Sequence, residues 1–204
     1  MGEPKDVPVG AMTPKQFMRA IARQHPRFTD AVLADARLAL ACIAQPLEDP
    51  GRWRLARAAV RLALTSDAFL ALAFYRAKAR LQGLGVPVLP RIAHRLAMAT
   101  AQVCIGDPVV IEAGIYLPHG QVVIDGLVRV AEGAIIRPWV TIGLKEGNFE
   151  GPKIGRGVSI GTGAKVFGPI VIGERALIGA NAVVIQDVPE RATAVGIPAR
   201  IVEP

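Results

Sequence analysis

The residues best suited to proton transfer in this 204-residue chain are its three histidines. An imidazole suits general base chemistry because its ordinary pKa lies near neutral pH. His25 and His94 have no neighbouring Cys, His or paired carboxylate, so we interpret them as a turn residue and a helix-surface residue. His119 is the only histidine within a regular repeat and is therefore the candidate general base.

The element that must position His119 is a six-residue repeat from Ile105 to about Pro189. Aliphatic residues recur at steps of six, with one extra residue assigned near Arg129. They are Ile105, Ile111, Leu117, Val123, Val130, Ile136, Ile142, Ile154, Ile160, Val166, Ile172, Ile178 and Val184. A period of six fits neither a helix nor an ordinary strand, which indicates stacked supersecondary units. Three hexads close a triangular coil with these side chains inside, whereas His119, third in its hexad, points outward.

The turns of the repeat are predicted from the fourth hexad position. That position is often Gly, Asn or Asp, which tolerate a positive φ at a tight corner. Leu144, Thr162 and Ala180 lie eighteen residues apart, so we predict that they stack along one edge of the prism. The polar segment 145–153 replaces one hexad and is expected to overhang the wall.

The chain divides into two predicted domains, a helical cap at 1–103 and a β-helix at 104–204. The cap has 15 Lys/Arg against 7 Asp/Glu, whereas the second part has 9 against 10. The arginines follow helical spacing without interleaved aromatics, so we interpret them as a solvated face and expect no nucleic-acid partner. Cys42 and Cys104 fit neither a disulfide framework nor a metal site, and the apolar stretches are short. We therefore expect a cytoplasmic protein without a membrane span or a metal.

Between Ser66 and Pro204 the chain contains the segments SDAFLALAFYRAKARLQ, HGQVVI, VTIG, GPKIGRGVSIGTGAKVFG and VGIPARIV. Through these segments it resembles the serine O-acetyltransferases of the hexapeptide-repeat acyltransferase superfamily. It implies an α+β fold, an N-terminal α-helical domain followed by a left-handed parallel β-helix, against the usual right-handed crossover preference. It also implies acetyl-CoA as cosubstrate, a small-molecule hydroxyl acceptor and a homotrimer, with a dimer of trimers left open.

The same resemblance assigns roles to single residues. His119 coincides with the general base of the family. Asp67, at the head of the fourth predicted helix, aligns with an acceptor-binding Asp, although a purely structural role as a helix cap stays open. The implied coenzyme A site comprises Gly143, Leu144, Gly161, Thr162, Gly163 and Ala180.

The chain departs from the family pattern at three places. Pro118 stands where the base is preceded by Asp. Cys104 stands where an Asp orients the base, with Asp107 and Glu112 as open substitutes. Glu150, followed by Gly, replaces an Arg-His pair. Glu150 is thus a predicted substrate-site residue that would repel a carboxylate, and the changes remove the family's partners for zwitterionic serine.

These observations predict an acetyl-CoA-dependent O-acetyltransferase acting on a hydroxyl acceptor. The first hypothesis for the acceptor is a sugar of an exopolysaccharide or its precursor, with free serine not preferred. A genuine serine O-acetyltransferase of cysteine biosynthesis stays open, with Lys145, Lys153 or Arg137 as the cation. A non-catalytic β-helix scaffold is the third hypothesis.

Overall fold

The computed structural model describes residues 13–43 and 51–202, and begins with a group of helices. These are α1 Pro14–Ala22, α2 Phe28–Cys42, α3 Arg52–Thr65, α4 Asp67–Gly83 and α5 Leu89–Ala101. A capping box begins α1, because the Gln16 backbone N–H donates to the Thr13 side chain and the Gln16 side chain accepts from the Thr13 N–H. Ser66 caps α4 by accepting from the Phe69 N–H, which makes Asp67 the first helical residue.

Short strands follow the helices from Val103 onward. They are β1 Val103–Ile105, β2 Val110–Ile111, β3 Val122–Ile124, β4 Leu127–Val130, β5 Ile135–Ile136, β6 Thr141–Gly143, β7 Glu150–Ile154, β8 Ser159–Ile160, β9 Lys165–Phe167, β10 Val171–Ile172, β11 Leu177–Ile178, β12 Val183–Val184, β13 Thr193–Gly196 and β14 Ala199–Val202. The first sheet contains β1, β3, β6, β9 and β12, the second β2, β4, β7 and β10, and the third β5, β8, β11, β13 and β14. All pairs are parallel except β13 with β14. The three sheets form the predicted parallel β-helix.

The aliphatic residues that the repeat places inside the prism are all buried, with one exception. Val123 is 40% exposed, whereas its neighbours Val122 and Ile124 are fully buried. The prediction at Val123 was wrong because the extra residue does not lie near Arg129. Val103 pairs with Val122, nineteen residues on, whereas Val123 pairs with Thr141, eighteen residues on. Since Tyr116 also pairs nineteen residues on, the extra residue lies in the turn that contains His119.

A second irregularity inserts six residues after β6. Thr141 pairs with Lys165, twenty-four residues on instead of eighteen. The inserted residues form a loop at 144–149, and the chain rejoins the second sheet at Glu150. The predicted loop at 145–153 was therefore too long, because its second half is β7.

Within the described residues no coil lies above the first one, and α4 covers this open end. Strand carbonyls at this end would lose their hydrogen bonds without a donor. The Tyr75 hydroxyl donates to the Val109 carbonyl at 3.0 Å, and Lys78 Nζ donates to the Ile105 carbonyl at 2.6 Å. Tyr75 and Lys78 are each only 2% exposed, so α4 and the β-helix share one continuous core.

A buried ion pair ties α2 to the same end. Arg76 on α4 makes a bidentate pair with Asp35 at 2.9 and 3.0 Å, and it also donates to the Ile111 carbonyl at 2.6 Å. Asp35 Oδ1 accepts from the backbone N–H groups of Gly114 and Ile115, each at 2.9 Å. Both charges are therefore fully hydrogen-bonded, the condition under which a buried pair is tolerated.

We predict that Arg76→Leu lowers the free energy of unfolding by about 3–5 kcal/mol, because it leaves the Asp35 carboxylate buried without a cation. Urea denaturation measures the change. The matched control is Arg52→Leu, since the Arg52–Asp30 pair is exposed and 3.7 Å long. That control should cost less than about 1 kcal/mol. Equal midpoints for the two variants would contradict a stabilising role for the buried pair.

Candidate functional site

His119 lies in the turn that joins the third sheet to the first, at the top of one edge of the prism. Below it on this edge, which we call the His119 edge, lie the turns 137–140, 161–164 and 179–182. The turn is held from both sides. The Gln121 N–H donates to the Ala101 carbonyl at 2.8 Å, and the Trp139 N–H donates to the Gln121 carbonyl at 2.8 Å. The end of α5 and the next coil together position His119, whose side chain is exposed as predicted.

Gly120 allows the close contact between this turn and α5. A Cβ at this position would lie 1.7 Å from the Ala101 carbonyl oxygen and 2.8 Å from the Ala101 Cβ. No side chain fits there without displacing the turn. The glycine is thus required by the packing that fixes His119.

His119 opens into a cleft of about 510 Å³ that it shares with Asp67. The cleft is lined by residues 65–68 at the start of α4, residues 100–101 at the end of α5, and residues 118–121 and 138–139. Asp67 is exposed, and its carboxylate has no ion pair or hydrogen bond within the described residues. None of the described residues that line the cleft is Lys or Arg. The structure therefore brings a candidate base and an unpaired carboxylate together in a cleft whose described lining contains no Lys or Arg.

Glu150 does not belong to this cleft in the protomer. It is the exposed first residue of β7, pairs with Leu127 and donates its N–H to Asn148 Oδ1 at 2.9 Å. Asp107 and Glu112, the two other carboxylates considered for orienting His119, have partners outside the cleft. Asp107 pairs with Lys78 at 3.0 Å, and Glu112 accepts from the Glu132 N–H.

The predicted coenzyme A residues divide between two edges. Thr162 and Ala180 both lie exposed on the His119 edge, where the Asn181 N–H donates to the Thr162 carbonyl at 2.8 Å. Gly161 and Gly163 flank Thr162 on this edge, and a Cβ on Gly161 would lie 2.6 Å from the Ala180 nitrogen.

Leu144 does not stack with Thr162 and Ala180, so that prediction was wrong. Gly143 pairs with Phe167, which places Leu144 at the turn from the first sheet to the second, on a different edge. The insertion is one hexad long, so the pattern of inward aliphatic residues continues unchanged after it. Each residue of β6 nevertheless pairs with a residue twenty-four positions on, and a residue eighteen positions on lies on another edge of the prism.

Trp139 lines the cleft and was missed by the sequence reasoning. The signal was present, because Trp139 occupies the fourth position of the hexad that begins at Ile136. The repeat predicts a turn from Gly, Asn or Asp at this position, and Trp139 is none of these residue types.

The other two histidines lie outside the cleft. His94 is in α5, and His25 is in the turn after α1, as predicted. His25 packs edge-on to Tyr75 with ring centroids 6.1 Å apart. Burial, with Arg76 and Lys78 nearby, lowers the pKa of His25 to about 4, so the ring is neutral at neutral pH.

No three His, Cys, Asp or Glu side chains of the described residues converge as a metal site. Among those residues no single helix is long and apolar enough to cross a membrane, and α3 with α4 would qualify only as a pair bent by 113°.

Comparison with known proteins identifies the family. A family profile described as the hexapeptide repeat of succinyl-transferase matches residues 169–189. The chain is 31% identical to the structure of serine acetyltransferase from Vibrio cholerae, with a TM-score of 0.72 over 92% of this chain and 70% of that one. The chain belongs to the serine acetyltransferase-like hexapeptide-repeat acyltransferases. The predicted order of helices followed by a left-handed β-helix is confirmed by this match.

Two further members of the family show the extent of the likeness. Serine acetyltransferase from Synechococcus elongatus is 36% identical over 150 residues, which are 72% of this chain and 62% of that protein. The chain thus spans less than two thirds of this curated relative. A serine acetyltransferase structure in complex with CoA is 28% identical with a TM-score of 0.73, covering 92% of this chain and 74% of the other.

We predict that Gly120→Ala destabilises this acyltransferase-family protein by about 1–3 kcal/mol, the usual cost of overpacking, because the methyl group overlaps the Ala101 carbonyl. Gly51→Ala is the control, since a Cβ at Gly51 meets nothing within 4 Å. Thermal and urea denaturation of both variants measure the difference. Unchanged stability of Gly120→Ala would show that the turn is not held against α5.

Proposed function

We propose that the protein is an acetyl-CoA-dependent O-acetyltransferase in which His119 is the general base. The observation that supports this most directly is the opening of His119 into the cleft beside the Asp67 carboxylate. The resemblance of the HGQVVI segment and the match to a relative solved with CoA point to the same chemistry. A non-catalytic scaffold would not need an exposed histidine in a packed turn beside an unpaired carboxylate.

The proposed reaction needs one proton acceptor at the hydroxyl. The neutral imidazole of His119 accepts the hydroxyl proton as the acceptor oxygen attacks the thioester carbonyl carbon. A tetrahedral adduct forms and collapses, the carbon–sulfur bond breaks, and the proton on the imidazolium passes to the departing thiolate. The products are the acetyl ester and coenzyme A, and the imidazole returns to its neutral form.

We propose L-serine as the acceptor. The relatives matched over most of the chain are serine acetyltransferases, and this supports serine over the sugar hydroxyl that the sequence alone favoured. Asp67, unpaired in the cleft, is the proposed partner for the serine ammonium group. None of the described lining residues is a Lys or Arg that would pair with the serine carboxylate, so that partner must come from outside them.

A sugar hydroxyl remains the second candidate acceptor. It is favoured by Pro118 at the position where the family has an Asp, and by the lack of Lys and Arg among the described residues that line the cleft. An uncharged acceptor needs neither group. Thiol release from acetyl-CoA, measured with serine, homoserine and a panel of sugars, compares the two candidates. The highest kcat/KM with serine is the expected result, and the highest with a sugar would replace serine by the second candidate.

We predict that His119→Asn lowers kcat by about a hundredfold to ten-thousandfold, the usual contribution of a positioned general base. The fold should be retained because the side chain is exposed. Thiol release gives kcat, and calorimetric titration with coenzyme A gives Kd, which should change little. Near wild-type turnover in this variant would exclude His119 as the base.

We predict that Ala180→Trp weakens coenzyme A binding at least tenfold, because the indole would cover the exposed backbone of the His119 edge. The control is Glu174→Trp, an exposed residue of the same coil in the turn from the second sheet to the third. Calorimetric titration of both variants with coenzyme A gives the two Kd values and shows which edge of the prism binds the cofactor. If Glu174→Trp weakens binding and Ala180→Trp does not, the cofactor lies on another edge.

The homotrimer implied by the resemblance stays a prediction. Sedimentation at micromolar concentration measures the assembly, and a stable monomer would contradict it.

A further inference from the structure

Trp139 adopts a backbone conformation that is unfavourable for a bulky side chain. Its φ is +65°, in the left-handed region. The matching turn residues of the His119 edge are Gln121, Gly163 and Asn181, with φ of +58°, +76° and +56°. The corner therefore requires a left-handed residue in each coil, and Gly and Asn meet this requirement at the lowest cost. A tryptophan there stores strain that the fold does not need, a feature that concentrates at functional sites.

Packing of the indole in the core does not offset this strain. Trp139 is 58% exposed and lines the cleft that contains His119 and Asp67. Its backbone is fixed on both sides, because its N–H donates to the Gln121 carbonyl and its carbonyl accepts from Lys165 Nζ. Trp139 thus lines the cleft from a turn whose backbone is hydrogen-bonded on both sides.

The residues of the cleft indicate which kind of ligand group would bind to the indole. The face of an indole carries negative charge density and attracts an ammonium group. The Asp67 carboxylate is unpaired within the described residues, and none of the described residues that line the cleft is Lys or Arg. The two features favour the same kind of ligand group, a cation.

We propose that Trp139 is a specificity-determining residue that binds the ammonium group of the acceptor together with Asp67. This inference rests on the proposed function, since it concerns the acceptor of the same site. It supplies an ammonium contact in a chain that has Pro118 in place of the family's Asp. The proposed contact of Trp139 with an ammonium group would also favour an amino acid over a sugar as the acceptor.

Fluorescence tests the binding directly, without turnover. The chain has two tryptophans, so Trp53→Phe leaves Trp139 as the single reporter. Ethanolamine carries a hydroxyl and an ammonium group, 3-hydroxypropionate carries a hydroxyl and a carboxylate, and glucose carries hydroxyls alone. We expect L-serine and ethanolamine to change the Trp139 emission saturably, and 3-hydroxypropionate and glucose to leave it unchanged. A saturable change with glucose and none with ethanolamine would overturn the ammonium site and favour sugar stacking. No change with any of the four would also overturn it.

A substitution pair separates this role from a structural one. In Trp139→Asn, we expect Tm to rise, because Asn tolerates the left-handed φ, while the KM for serine rises about tenfold through loss of the cation–π contact. The KM for acetyl-CoA should stay within twofold. Trp139→Phe keeps an aromatic face and should retain most of the serine affinity without the gain in Tm. A fall in Tm together with an unchanged serine KM in Trp139→Asn would show that the indole is structural.

Failure of the proposed function and failure of this inference are distinguishable. If the wild-type protein releases no thiol with serine, the proposed acceptor is wrong, and the ethanolamine titration still decides whether Trp139 binds ammonium groups. If serine is acetylated and Trp139→Asn has a normal serine KM, only the role of Trp139 is wrong.

Discussion

The structure depends on how the open end of the β-helix satisfies its backbone carbonyls. Within a stack each coil bonds to its neighbours, but the first coil has strand carbonyls with no coil above them. Tyr75, Arg76 and Lys78, within one turn of α4, donate to the carbonyls of Val109, Ile111 and Ile105. At the other end β14 turns back and pairs antiparallel with β13. The helical cap thus supplies donors to backbone carbonyls at the open end of the repeat.

The same cap determines the geometry of the candidate site. The helix that carries the three donors begins at Asp67, so anchoring its middle to the first coil fixes the position of the carboxylate at its start. The carbonyl of Ala101 at the end of α5 holds the turn of His119 through the Gln121 N–H. Asp67 and His119 lie 52 residues apart in the chain, and they share a cleft because both are tied to the capped end.

Features that recur in the chain could be predicted from the sequence, and features that occur once could not. The inward aliphatic frame follows from periodicity, and the outward direction of His119 follows from its place in the hexad. The extra residue in the His119 turn was misplaced because Val122, Val123 and Ile124 are all apolar, so either register satisfied the pattern. Leu144 was assigned to the wrong edge because an insertion of one whole hexad preserves the phase while changing the face. The buried Asp35–Arg76 pair joins residues 41 apart, and no local pattern indicates such a contact.

A site that binds serine needs a cation for the serine carboxylate as well as an anion for its ammonium group. Serine brings a carboxylate as well as an ammonium group. The described lining offers the carboxylate of Asp67 and the indole of Trp139 to the ammonium group, but no Lys or Arg to the serine carboxylate. Among the candidate cations, Arg137 donates to Ser159 Oγ at 2.7 Å, while Lys145 lies in the loop at 144–149 on a different edge of the prism. Within the same protomer, Lys165 Nζ donates to the carbonyl of Trp139 and so lies beside the cleft. The predicted trimer would place a second protomer beside this one, and the loop at 144–149 of that protomer would be a further source of a cation.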